Sequence, residues 1–123
     1  MSISTMIVDD QDDIRLLIRM TIDLANDGLE VSAEAASGEE ALTRVADIDP
    51  AVIVLDEMMP GMRGVDVAGR ILADRPGQAI VLFSAHLDDE LRDRALRIGV
   101  RAALPKDRLE ELPGLLRDLA ATA

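Results

Sequence analysis

Asp9 and Asp10, Asp56, Ser84 and Lys106 each stand at or just past the end of a short apolar run, and their side-chain types form a chemical set. Three carboxylates brought within a few ångströms of one another repel, and they either raise each other's pKa or gather a cation. The chain has no cysteine and one histidine, so a hard ion held by oxygens is the natural occupant. Magnesium suits such a set, because it takes one or two carboxylates, several waters and a phosphate oxygen. A hydroxyl from Ser84 and an ammonium from Lys106 on the other side suit a phosphoryl group, which leaves one carboxylate as an in-line nucleophile. Lys106 is the only lysine, since the other 12 of the 13 basic residues are arginine.

Each residue also has a plainer reading. An acidic pair between a strand and a helix often only caps the helix and complements its dipole. Asp56 before a Pro-Gly loop reads as a turn residue, Ser84 as a cap for the helix that follows, and Lys106 as a solvated charge. What favours the chemical reading is that all of them fall at one edge of one inferred sheet. His86 lacks a Ser/His/Asp ordering that would make it a triad base. Gly61 and Gly64 are not a phosphate-binding loop, since no GxxxxGK or GxGxxG follows a strand.

The elements that must position these residues follow from the apolar periodicity. Met6-Ile7-Val8 is a strand. Ile14, Leu17, Ile18, Thr21 and Ala25 mark the inner stripe of a helix from Gln11 to about Asp27, with Leu16, Met20 and Leu24 as a second apolar row and Gly28 as its stop. A weaker strand spans Leu29 to Ala35, and Ser37 with Glu40 three residues on offers a capping box for a helix to about Asp47. Residues 51–55 and 79–83 are continuous apolar runs, as in strands covered on both faces. Met58 to Gly64 is a loop and Val65 to Asp74 a helix. Leu87, Leu91, Ala95 and Ile98 make a stripe closed by Gly99, Val100 to Leu104 is a short strand, and Leu109 to Ala121 a last helix. Five strands alternating with helices give an α/β, doubly wound (βα)5 fold with a five-stranded parallel sheet. In that class ligands bind beyond the carboxyl ends of the strands, where the strand order reverses.

Size and charge narrow the function classes. For one hundred and twenty-three residues the expectation is a single domain over 1–123 without an attached output module. A net charge of −11 repels phosphate backbones and anionic headgroups, so direct nucleic-acid or membrane binding is not expected. No apolar stretch reaches the length of a membrane span and Met1 to Thr5 is no signal segment, so the expected location is cytoplasmic.

At these residues the chain resembles the receiver domains of bacterial two-component response regulators. The matching stretches are Val8-Asp9-Asp10, Leu55-Asp56-Glu57-Met58-Met59-Pro60-Gly61, Phe83-Ser84-Ala85 and Leu104-Pro105-Lys106, and the resemblance runs from Met6 to about Leu119. It implies a flavodoxin-like sandwich and a site with Mg2+ as cofactor. Asp56 would be the phosphoacceptor, Asp10 a direct magnesium ligand, Asp9 a ligand through water and the Met58 backbone carbonyl a further ligand. Ser84 and Lys106 would bind the phosphoryl oxygens. The implied partners are a sensor histidine kinase or histidine phosphotransfer protein upstream, docking in part on Leu16, Met20 and Leu24, and a protein partner downstream. Such a receiver catalyses its own phosphorylation and a slower hydrolysis rather than turning over a separate substrate.

Two departures from the family pattern bear on signalling. Ala103 stands where the family usually has a Tyr or Phe that reports phosphorylation, and Asp107 rather than proline follows Lys106. The positive charge of Arg92, Arg94, Arg97 and Arg101 is the expected exit for the signal, unless Asp88 with Arg92 and Asp93 with Arg97 pair along the helix. The leading expectation is therefore a stand-alone phosphorylatable receiver. Its rivals are an interaction module independent of phosphorylation, a receiver fragment of a longer regulator, and a magnesium-dependent phosphatase with an aspartyl nucleophile. That last class carries a second Asp two residues after the first, where this chain has Met58.

Overall fold

In the computed structural model, which describes residues 2–121, the chain alternates strand and helix throughout. β1 (Ile3–Val8), α1 (Asp12–Ala25), β2 (Leu29–Ala35), α2 (Gly38–Ile48), β3 (Val52–Leu55), α3 (Gly64–Asp74), β4 (Ala79–Ser84), α4 (Asp89–Ile98) and β5 (Ala102–Pro105) are followed by a 3-10 segment, Lys106–Glu111, and α5 (Leu112–Ala121). The strands form one parallel sheet in the order β2-β1-β3-β4-β5. The order reverses at β1, so the crevice between the ends of β1 and β3 is where this topology opens a site.

Side-chain alternation along the strands splits the core into two layers. Met6, Val8, Ile53, Leu55, Ile80 and Leu82 pack with α2, α3 and Ala95 of α4. Ile7, Val52, Val54, Val81, Phe83 and Leu104 pack with Ile18 and Ile22 of α1 and Leu112 and Leu116 of α5. Phe83 and Ser84 therefore point to opposite faces, and Ser84 shares its side with Ala103.

Local signals explain most boundaries. The Ser37 hydroxyl accepts from the Glu40 N–H, and Glu40 reaches back to the N–H of Ala36 rather than that of Ser37. Asp88 caps α4 by accepting from the Leu91 N–H, and Gly99 ends that helix at φ 109°, a left-handed conformation that glycine adopts without penalty. Three expectations are corrected. On α1 the buried residues are Ile18 and Ile22, each 1% exposed, whereas Leu17 is 47% exposed. That helix is apolar around much of its circumference, so two overlapping rows compete and only the sheet decides between them. The last helix does not start at Leu109, because Arg108 takes a non-helical conformation inside the 3-10 turn. The fifth strand begins at Ala102 rather than Val100, whose N–H still bonds Ala95 at the end of α4.

Candidate active site at the carboxyl edge of the sheet

Asp9 follows β1, Asp56 follows β3, Ser84 ends β4 and Lys106 follows β5, so the parallel register delivers all four to one edge. Carboxylate oxygens of Asp9, Asp10 and Asp56 lie within 4.8 Å of one another. Asp9 and Asp56 are buried, and Asp10 is the most open of the three. Lys106 bridges the buried pair, with Nζ 2.9 Å from Asp9 Oδ2 and 3.2 Å from Asp56 Oδ1. Lys106 and Asp9 are 97 residues apart in sequence, and the strand order β1-β3-β4-β5 brings their side chains together.

The electrostatics follow from this crowding. Burial pushes the Asp56 carboxyl above its ordinary value, Asp9 pushes it further, and Lys106 opposes both without cancelling them. Burial works against the Lys106 ammonium, but its bond to Asp9 and the charges of Asp56 and Asp9 outweigh that, leaving its pKa raised. Three carboxylates against one ammonium give the cluster more negative charge than its lysine neutralises.

Ser84 is fully buried, and its Oγ accepts from the N–H of His86 at 3.3 Å. Met58 follows Asp56 by two residues in a tight turn, where the Met59 N–H bonds the Glu57 carbonyl at 3.2 Å. Met59 is buried as an anchor and the Met58 side chain is exposed. His86, also exposed, faces a cleft it shares with Met58, Arg63 and Arg94.

Three supporting residues escaped sequence reasoning. Arg15 of α1 donates to the Asp9 carbonyl at 2.5 Å and also binds Asp12 and Glu34, tying α1 and β2 to the acidic corner. Nothing in the local pattern marks it, since an arginine on an exposed-looking turn is common. Gly64 is required by a close approach: a Cβ there would lie 2.2 Å from the Asp56 carbonyl oxygen. Glu57, 3% exposed, is a carboxylate two residues past an apolar strand, which was its only sequence signal.

The expected pairs of Asp88 with Arg92 and Asp93 with Arg97 are not made. Asp88 is spent on the cap, Arg94 pairs with Asp66 of α3 at 3.7 Å, and Arg101 donates to the carbonyls of Gly77 and Leu119. Among the described residues Arg92 and Arg97 have no carboxylate within 4.0 Å. The peptide bond after Lys106 is trans.

The response regulator receiver domain is the family model that this sequence matches, over residues 5–117. The chain belongs to that family. The response regulator GacA of Pseudomonas protegens is 33% identical over 105 residues, covering 85% of this chain and 48% of that protein. A protein-glutamate methylesterase/protein-glutamine glutaminase of Geobacter metallireducens is 36% identical over 107 residues, covering 85% of this chain and 30% of its own length. The chain therefore spans half or less of the length of these relatives. Among solved structures, the signal receiver domain of NarL from Mycobacterium tuberculosis superposes with a TM-score of 0.91 at 28% identity, over 99% of this chain and 98% of that one. The response regulator domain of Thermotoga maritima CheB, 22% identical with a TM-score of 0.90 over 98% of each chain, agrees in fold. Among the described residues of this receiver domain no helix is long and apolar enough to cross a membrane.

Proposed function

We propose that this receiver takes a phosphoryl group from a phosphohistidine donor onto Asp56 and signals by phosphorylation-dependent binding of a partner protein. The observation that carries the reading is the bridging of Asp9 and Asp56 by Lys106 within a three-carboxylate cluster. The residues present fit Mg2+: Asp10, Asp56 and the Met58 carbonyl would hold it directly and Asp9 through water, all of them hard oxygen donors. Bound there, it supplies positive charge against the oxygens of an incoming phosphoryl group.

The chain's own groups do the rest. An Asp56 oxygen attacks phosphorus in line as the phosphorus–nitrogen bond of the donor imidazole breaks, and the imidazole leaves with that electron pair. Lys106 is already oriented on Asp56 and follows the charge onto the phosphoryl oxygens. Ser84 Oγ, whose acceptor side is used by His86, retains its proton to donate to the same group. An acyl phosphate brings a charge of about −1.5 to −2 to a buried edge, which suffices to reorganise the Ser84–His86 loop.

Upstream, the reading implies a sensor histidine kinase or a histidine phosphotransfer protein, with the exposed Leu16, Leu17, Met20 and Leu24 of α1 as part of the docking face. Downstream, it implies a protein partner on the α4 side, where Arg92 and Arg97 are uncommitted. A phosphorylation-independent interaction module is the second reading, and Ala103 favours it, because Phe83 lies in the opposite layer and cannot replace the missing ring.

Incubation with Mg2+ and a small-molecule phosphodonor is expected to add one phosphoryl group to the intact chain, read by mass spectrometry, and none to Asp56→Asn. No adduct on the wild type would remove the phosphorylation reading. Lys106→Arg is expected to take up phosphate but not to gain partner affinity, since a planar guanidinium does not replace a compact ammonium.

A further inference from the structure

Glu57 is a buried carboxylate beside the phosphoacceptor with no part in the chemistry above. Its Oε1 accepts the N–H of Val65, in the first turn of α3, at 2.8 Å. Its own carbonyl accepts from Met59 at 3.2 Å and from Gly64 at 3.0 Å. Arg63, the residue at the head of α3, contributes no side-chain cap. One residue thus supplies the capping acceptor that α3 lacks and closes both ends of the loop from Met58 to Arg63. The fit is tight, because at Gly64 the helix start comes too near the Asp56 carbonyl for any side chain.

We propose that Glu57 is a positioning residue for the metal site, acting through the cap on α3 to fix the loop that carries the Met58 carbonyl. Burial of an acceptor beside an unpaired helix N–H is what makes the placement rigid: withdrawing Oε1 leaves a buried donor unsatisfied, and the loop must move to find it a partner. Arg63 lies 3.8 Å from Oε2 and is largely exposed, so it adds little to the hold. The relevant property of Glu57 is reach and an acceptor oxygen, not its charge.

This inference rests on the proposed Mg2+ site, and calorimetric titration of the whole chain with MgCl2 separates the two. Glu57→Ala and Glu57→Asp, the second too short to reach Val65, are expected to weaken Mg2+ binding about tenfold, the usual scale for losing a group that orients a ligand. Glu57→Gln keeps the acceptor and is expected to restore wild-type affinity, as is Arg63→Ala. A role in stability alone would lower the unfolding midpoints of the Ala and Asp variants while their folded forms bound Mg2+ as tightly as the wild type, and that result overturns the inference. Loss of affinity in Glu57→Gln would overturn it as well. A wild type that takes up no Mg2+ overturns this inference together with the site on which it rests.

Discussion

Replacing Asp56 by asparagine is expected to stabilise the metal-free protein at neutral pH. The two Asp9 and Asp56 charges, no more than 4.8 Å apart at their nearest ligand oxygens, cost at least about 3.5 kcal/mol at an effective dielectric of about 20. The Lys106 ammonium at 3.2 Å returns about 5 kcal/mol by the same rule. Coulomb terms alone would leave Asp56 slightly better off charged. Burial reverses the sign, since taking a carboxylate out of water costs several kcal/mol even after relaxation. The remainder is a penalty of about 1–2 kcal/mol that the asparagine amide, nearly the same shape, does not carry. The chain has no Trp or Tyr, so urea unfolding is best followed by far-UV circular dichroism in the presence of a chelator. The midpoint of Asp56→Asn is expected to rise by about 0.5–1 M. The pH dependence carries the sign. With its folded pKa raised above the ordinary 3.8, Asp56 loses stability for the wild type as pH rises through that folded value, and the two proteins converge below 3.8. Excess Mg2+ is expected to reverse the order, adding about 2.7 kcal/mol to the wild type at a hundredfold over Kd. An unchanged or lower midpoint for Asp56→Asn under chelation would refute the claim that burial outweighs the lysine.

Further perturbations test the remaining parts. Lys106→Met leaves Asp9 and Asp56 facing each other and is expected to cost about 2–4 kcal/mol without metal, read by the same unfolding curves. Because folded Lys106 titrates above its ordinary 10.5, the wild type should lose stability as pH rises past that value; the Met variant should not, and no Tyr or Cys is present to obscure the comparison. Gly64→Ala drives a Cβ into the Asp56 carbonyl and is expected to cost about 3 kcal/mol or more, with loss of phosphate uptake by mass spectrometry. Glutamates at Arg92 and Arg97 together are expected to change stability by less than about 0.5 kcal/mol and leave phosphate uptake intact; a large loss would mean these arginines hold the fold.

The parts of the fold that depend on near neighbours were legible in the chain itself. Residues 51–55 and 79–83 read as buried parallel strands because no polar residue interrupts them, and Ser37 with Glu40 announces the start of α2. That Asp9, Asp10, Asp56 and Lys106 meet at one edge was legible because a strand end and a chemical type coincide at each of them. What depends on distant partners was not. The choice between two apolar rows on α1 is made by the sheet beneath it, and the 3-10 turn after β5 carries Lys106, whose partner Asp9 lies 97 residues away. Glu57 and Arg15 act on backbone groups of other elements, and a sequence carries no pattern for such bonds.

The asymmetry in how the helices are held has a dynamic consequence. α3 buries five residues against the sheet, whereas α4 buries only Ala95 and faces Ala103, whose methyl group fills little of the space a larger residue would. A helix tethered at so few points can open locally at a free energy well below that of global unfolding. Native-state hydrogen exchange is therefore expected to find the lowest partial opening of the receiver in α4, next to the β4–α4 loop. Under the function proposed above, a charge added at Asp56 would not have to bend a rigid body to be felt; it would only have to tilt the balance between closed and open states of the helix that buries least.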